Sequence, residues 1–335
     1  MDCSHVQRVS RAQFDAETQR FRRELVAYCY RIVGAASDSE DLVQETYLRA
    51  WRYRAGFDGR ASMRSWLYKI ATNVCLTWLE HRKPRVLPSS LGAADAEPEP
   101  AATPAAPGEV SWLEPLPDEL LTSAEAGPDA AVVARESLRL ALIASLQFLP
   151  ARQRAIFILR EVLEFSADET AEILAASSVA VKSGLQRARA RLEELAPARE
   201  ELLEPTDPRA RELLEGYIAA FERSDPALLV QVLRADATLE ATPFREWQTG
   251  RARCIRLLEA QVLGNPGDWR MLATTANGQP AAAVYQREMD GILRARGIVA
   301  LAVTPSGVSR VVAFHHEPAL VRAFGFGLAL GEAST

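Results

Sequence analysis

The residues best placed to do chemistry are cations on helical patterns. Between residues 182 and 191 lie Lys182, Arg187, Arg189 and Arg191, with no acid among them. Val181, Leu185, Ala188 and Leu192 recur beside them at helical spacing, so one face is apolar and the other basic. Ser183 and Gln186 can meet base edges while the cations hold phosphates. A second set falls between residues 57 and 73, where Phe57, Arg64, Tyr68, Lys69 and Asn73 interleave rings, cations and an amide. Rings stack on bases, cations hold phosphate and an amide reads a base edge, which suits single-stranded nucleic acid. A third set is acidic, with Asp38, Glu40 and Asp41 followed by Gln44 and Glu45. For each set the competing reading is a solvated helix face. Cys3, Cys29, Cys75 and Cys254 form no CxxC pair and His5, His81, His315 and His316 do not cluster with them, so the expectation is no metal, no disulfide framework and no cofactor.

The elements that must position these groups read as follows. Phe21, Leu25, Tyr28, Cys29 and Ile32 mark a helix ending at Gly34. Ser37 and Glu40 form a capping box opening a second helix through Leu42, Val43, Tyr47, Ala50 and Trp51. Ser62 starts a third, with Met63, Trp66, Leu67, Ile70, Val74 and Trp78 as its stripe and Lys83-Pro84 as its stop. Leu138, Leu142 and Leu146 mark another helix, ended by Leu149-Pro150, and Ile156, Leu159 and Leu163 the next. Ser166 and Glu169 box a short helix to Leu174, the turn Ala175-Ala176-Ser177 follows, and the basic helix runs from Ser178 to Leu195. A short helix, a three-residue turn and a basic amphipathic helix match a DNA-reading helix-turn-helix.

The chain has 335 residues and a net charge of −5, enough for two or three domains. Charge is unevenly spread. Residues 8–85 carry fifteen bases against nine acids, whereas residues 86–134 carry nine acids and no base. That acidic stretch is also rich in Ala and Pro, so the composition predicts an extended or disordered linker, interrupted by the apolar island SWLEPLPDELL (111–121). Its charge suggests that Asp95, Glu97, Glu99 and Glu109 mimic nucleic acid. No apolar run approaches a membrane span and the N-terminus has no signal-peptide core, so a cytoplasmic protein is expected.

The strings DSEDLVQETYLRAW (38–51) and FDGRASMRSWLYKIATN (57–73) resemble the sigma-two domain of bacterial extracytoplasmic-function (ECF) sigma factors. The resemblance covers residues 14–84. It implies that Asp41, Gln44, Glu45 and Leu48 face the clamp helices of the RNA polymerase beta-prime subunit. It also implies that Phe57, Tyr68, Lys69, Ile70 and Asn73 capture the unwound −10 element of promoter DNA. Lys69 stands where Arg is common in the family, which keeps charge and loses bidentate geometry. LPARQRAIFILREVLEFSADETAEILAASSVAVKSGLQRARARL (149–192) is similar to the sigma-four domain of the same family. Carried over by position, Lys182, Ser183, Gln186 and Arg187 read the −35 element, with the beta flap as a further polymerase contact. Ala175 replaces the usual turn glycine, at a cost of about 1 kcal/mol if φ is positive.

After Pro208 the pattern changes. Leu213, Leu214, Tyr217, Ile218 and Phe221 make one helix, Asp225-Pro226 begins another, and a third is read around 251–263. Runs at 237–243, 269–278, 281–288, 292–304 and 308–316 read as strands, with Pro305-Ser306-Gly307 as a hairpin turn. The pattern is α+β. With ATLEATPFREWQTG and ANGQPAAAVYQRE it resembles the SnoaL-like members of the NTF2-like cone fold. Trp247, Tyr285, Arg287 and His315 are the candidate pocket lining. Catalysis, ligand sensing and cis regulation of the sigma domains all fit such a pocket, and the last is the expectation adopted, with no catalytic residue assigned. The expected organisation is therefore two all-α domains plus an α+β domain: 14–84, an acidic linker over 85–134, 135–196, and 207–330. Expected partners are core RNA polymerase, promoter DNA and an intramolecular contact of the C-terminal domain with the sigma domains or linker; no membrane contact is expected.

Overall fold

In the computed structural model, residues 11–57, 59, 61–94, 104–106, 108–120, 137–195, 201–315 and 317–330 are described. The first module starts with helix α1 (Arg11–Gln19), which the sequence reading did not assign. It is held by Phe14, whose ring meets Trp51 edge-on at 5.5 Å. Helix α2 (Arg22–Val33) buries Leu25, Tyr28, Cys29 and Ile32. It ends at Gly34, whose φ of 77° fits the left-handed cap that glycine adopts without strain. Helix α3 (Ala36–Tyr53) begins one residue before Ser37, and its N-cap Ala35 makes no side-chain capping bond. The expected Ser37–Glu40 box is therefore absent. Glu40 is instead ion-paired with Arg22 of α2, so a tertiary partner has won the carboxylate. Helix α4 (Met63–Leu79) is capped as expected, Ser62 accepting from the Ser65 amide at 3.0 Å.

After helix α5 (Leu140–Leu146), the second module comprises α6 (Ala151–Phe157) with its π-turn continuation Ile158–Val162, α7 (Ala167–Leu174) and α8 (Ser178–Leu195). The Ser166–Glu169 capping box is complete. Ala175 sits at φ 48°, so the departure from glycine is a real strain at this turn. Gly184 lets α8 approach α6: a Cβ there would lie 2.6 Å from Ile156 Cδ1.

Two compact units emerge, and their borders differ from the sequence partition. One contains the chain up to Arg82 together with Leu146–Leu195; the other contains Lys83–Glu119, Arg135–Ser145 and the chain from Ala196 onward. The described part of the acidic segment is thus a folded component of the C-terminal unit. The reason is its apolar content, which outweighs charge and proline: Leu87, Leu113 and Leu116 are fully buried, each worth roughly 2 kcal/mol. Asp95, Glu97 and Glu99 lie outside the described residues, while Glu109 is ion-paired with Arg245.

The C-terminal unit is α+β. Asp207 and Asp225 cap helices α9 (Pro208–Glu222) and α10 (Pro226–Val232), each with proline in the first turn. Strand β1 (Leu233–Thr242) and the short β2 (Trp247–Thr249) precede α11 (Arg251–Gln261). Strands β3 (Trp269–Ala276), β4 (Gln279–Arg287), β5 (Leu293–Thr304) and β6 (Gly307–His315) then form a meander. Helix α12 (Pro318–Ala323) and β7 (Ala329–Leu330) complete it. The order is β2-β1-β6-β5-β4-β3, with β7 on β5; only β1 and β6 run parallel. Leu239, Val299, Leu301, Val311, Ala282, Val284 and Met271 share a core with residues of α9–α11. The opposite face is buried too, with Ala281, Ala300, Tyr285 and Phe314 at most 1% exposed, because α12 and the described parts of the 85–119 strap lie against it.

At the β4–β5 bulge the chain needs glycine. A Cβ on Gly297 would lie 1.7 Å from the Phe314 carbonyl oxygen. Gly297→Ala is expected to cost about 3 kcal/mol, read as a lowered urea midpoint at unchanged slope. An unshifted midpoint would show that the strands relax around the added methyl.

Candidate nucleic-acid interface

Helix spacing of three and four residues puts Asp41, Gln44, Glu45 and Leu48 on one face of α3. Asp41, Gln44 and Leu48 are exposed and Glu45 is half-buried, with Arg49 Nε donating to it at 2.6 Å. Leu48 is 54% exposed, a large apolar side chain in an acidic frame. The four expected residues are therefore brought together as one surface.

The second expected set is only partly assembled. Lys69 and Asn73 are exposed one turn apart on α4, Ile70 is half-buried, and Phe57 packs on Trp66 at 5.0 Å. Tyr68 is the exception: it is fully buried. Its ring meets Tyr28 and Phe165 edge-on, each at 5.1 Å, and its hydroxyl donates to Glu24 Oε2 at 3.3 Å. Burial, then the Glu24 carboxylate, pushes its phenol well above the ordinary range. Arg64 donates to the same oxygen at 2.9 Å and lies 4.6 Å from the Phe165 ring. In this arrangement Tyr68 presents nothing to a nucleotide.

The third set is intact. Lys182, Gln186 and Arg187 are exposed on α8 and Ser183 is half-buried, accepting from Arg187 at 2.5 Å. Arg189 and Arg191 are ion-paired with Glu161 and Glu194 at 2.8 and 2.9 Å.

Sequence reasoning missed Arg154. Its guanidinium is 3% exposed and spans two modules: it donates to Gln147 Oε1 at 2.6 Å, to the carbonyls of Gln147 and Leu149 at 2.9 and 3.1 Å, and to the Ile32 carbonyl at the end of α2. Burial pulls its pKa down to about 10. Nothing in a single cation on a helix announces such a role.

The four candidate pocket residues do not converge. Trp247 donates to the Gly92 carbonyl at 3.0 Å, Tyr285 to Gly327 at 2.7 Å, and Arg287 to Gly267 and Gly291 at 3.1 and 2.7 Å. Strands β1, β6 and β5 separate Trp247 from Tyr285, and His315 continues the alternation of Val311 and Ala313 on the helix-covered face. The polar tips of Trp247, Tyr285 and Arg287 are spent on backbone. A cavity of about 170 Å³ does occur, between Arg85, Trp112, Glu114, Thr242, Phe314 and Glu317. Burial, then Glu114, raises the Glu317 carboxyl. Among the described residues no cluster of His, Cys, Asp or Glu fits a metal ion, and no helix is long and apolar enough to cross a membrane.

The strap is gripped by the β3–β4 turn, the ANGQPA segment. Asn277 accepts from the Leu116 amide at 2.8 Å and donates to the Leu138 carbonyl at 2.6 Å; its own amide donates to Leu116 at 3.0 Å. Gly278 donates to Asp118 at 2.8 Å and Gln279 accepts from the Leu140 amide at 3.1 Å. One turn thus holds the chain on both sides of residues 119–137.

Two helical modules with an exposed basic reading helix define a DNA-binding factor of the sigma-70 class, and family comparison agrees. The Sigma-70 region 2 model matches residues 18–85 and the Sigma-70, region 4 model residues 139–192. The ECF RNA polymerase sigma factor SigG of Mycobacterium tuberculosis (strain ATCC 25618 / H37Rv) is 46% identical over 306 residues, which is 91% of this chain and 81% of that protein. SigX of Bacillus subtilis (strain 168) is 30% identical over 188 residues, 55% of this chain and 84% of that one. The crystal structure of the Mycobacterium tuberculosis extracytoplasmic function sigma factor SigJ shares the fold at TM-score 0.58 and 24% identity, over 92% of this chain and 98% of that one. This chain belongs to the ECF RNA polymerase sigma factors, and its C-terminal unit is α+β. It is a transcription-initiation factor.

Proposed function

We propose that the α3 face of Asp41, Gln44, Glu45 and Leu48 docks on core polymerase, that Lys69, Ile70, Asn73 and Phe57 meet the −10 element, and that Lys182, Ser183, Gln186 and Arg187 read the −35 element. The exposure of three of those last four on one helix carries the reading. The protein performs no bond chemistry of its own and works in the cytoplasm, where polymerase is. The C-terminal domain regulates in cis through the tether. At about 3.3 Å per residue, a free segment 83–145 reaches roughly 200 Å, and gripping it at Leu116 and Leu138 shortens that reach. Promoter elements at a fixed separation then sense whether the strap is held.

Run-off transcription with core polymerase on a selected promoter library tests this. Lys182→Ala and Arg187→Ala are each expected to lower output about tenfold and to reduce the salt dependence of DNA binding by about one phosphate contact. Removing the chain from residue 200 onward should change output. Identical output with and without it would refute cis control.

A further inference from the structure

At 3.6 residues per turn, Val179, Ser183, Gln186 and Ala190 fall on one line along α8, opposite the buried stripe of Val181, Leu185, Ala188 and Leu192. Val179 is 76% exposed, the one large apolar side chain on a face otherwise made of Lys182, Ser183, Gln186, Arg187 and a small alanine. A lone surface valine is ordinary. This one stands where helix chemistry disfavours it, because β-branching lowers helix propensity and a first turn prefers Asp or Glu against the helix dipole. The first turn of α7 has both Asp168 and Glu169, whereas that of α8 has no acid, and none follows before Glu193. An acid-free turn with an apolar tip suits a surface that meets a polyanion and something apolar within it. The turn is also held in place. Ser177 accepts from the Ala180 amide at 3.2 Å, and the Ser178 hydroxyl donates to Asp168 of α7. Both serines are thereby committed, and Val179 is the largest side chain the turn presents outward.

We propose that Val179 is a specificity-determining residue of α8 that reads the C5-methyl group of a thymine in the −35 element. The inference rests on the functional reading above and adds the base group that one further residue recognises. A valine has neither donor nor acceptor, so it cannot read the polar edge of any base. Its two methyl groups gain only by burial against an apolar group, and in the major groove the thymine methyl is the one such group a base presents. The residues that reach base edges lie in the N-terminal part of a reading helix, which is where Val179 stands. Ser183 and Gln186 continue the same line one and two turns further on, so one row of side chains follows the groove. Burying one methyl group is worth about fourfold in affinity.

The test uses the full chain bound to core polymerase, which first selects a −35 element from a randomised duplex library. Each thymine of that element, on either strand, is then replaced singly by deoxyuridine. The replacement removes the methyl group and keeps every hydrogen-bonding group of the base. Equilibrium binding to each duplex is measured by fluorescence anisotropy at fixed salt. For the parent, one replacement is expected to weaken binding about fourfold while the others leave it within twofold. Val179→Ala should bind the thymine duplex about fourfold more weakly and no longer distinguish thymine from uracil at that position, and Val179→Ile should keep the distinction. Alanine is the better helix former at this exposed position, so the variant keeps its fold. Lys182→Ala should bind every duplex more weakly and keep the thymine preference, as a phosphate contact does. A selected element without an A·T pair, or equal binding of all deoxyuridine duplexes by the parent, would overturn the inference, as would full parental discrimination in Val179→Ala. If Lys182→Ala still weakens binding in those cases, the functional reading stands without it. Failure of the parent to select any element would overturn that reading, and this inference with it.

Discussion

Asn277→Ala is expected to destabilise the C-terminal unit by about 4 kcal/mol and to open the strap to protease. The side chain is fully buried and makes two hydrogen bonds to backbone groups of distant segments, the Leu116 amide and the Leu138 carbonyl. Truncation leaves both without a partner, at roughly 1–3 kcal/mol each. Alanine must also adopt the residue's φ of 57°, which adds about 1 kcal/mol. Asn277→Gly separates these contributions: it loses the same bonds but tolerates the backbone, so it should fall about 1 kcal/mol short of the alanine variant. Urea unfolding monitored by tryptophan emission gives the energies. Timed proteolysis across residues 104–140 gives the strap. If Asn277→Ala matches the parent in both, the turn does not hold the tether.

How much of this could be read beforehand differs by element. Local chemistry survived folding: Gly34, the Ser166–Glu169 box, the positive φ at Ala175 and the α8 stripe are all decided within a few residues. Failures came where a distant group outcompeted a local one. Ser37 lost Glu40 to Arg22, eighteen residues away in the chain. Tyr68 follows the spacing of a surface ring, yet Phe165, nearly a hundred residues on, covers it. In the described parts of 86–134 composition misled: the density of acid and proline argued for solvation, while a few leucines and the ANGQPA turn hold those parts on the C-terminal unit. The candidate pocket residues are dispersed for another reason. Residue type was taken as a sign of a lining, but the polar tips of Trp247, Tyr285 and Arg287 are committed to carbonyls.

The largest functional effect should come from the α3 face. Leu48→Arg combined with Asp41→Arg is expected to weaken core-polymerase binding by at least a hundredfold, a loss of about 2.8 kcal/mol at 1.4 kcal/mol per decade. Leu48 is more than half exposed, so its apolar surface contributes little to the fold and is free to be buried against a partner. An arginine there would bring a charge into that contact, and the second would reverse the charge at position 41 and weaken the acidic frame that steers association. Both positions face solvent, so stability should change by less than about 0.5 kcal/mol. Equilibrium binding to labelled core polymerase reads the affinity, and melting temperature reads the fold. Because Gln44 and Glu45 lie on the same face, Gln44→Ala alone should give a smaller, same-direction loss. Wild-type affinity in the double variant would move the polymerase-facing surface away from α3.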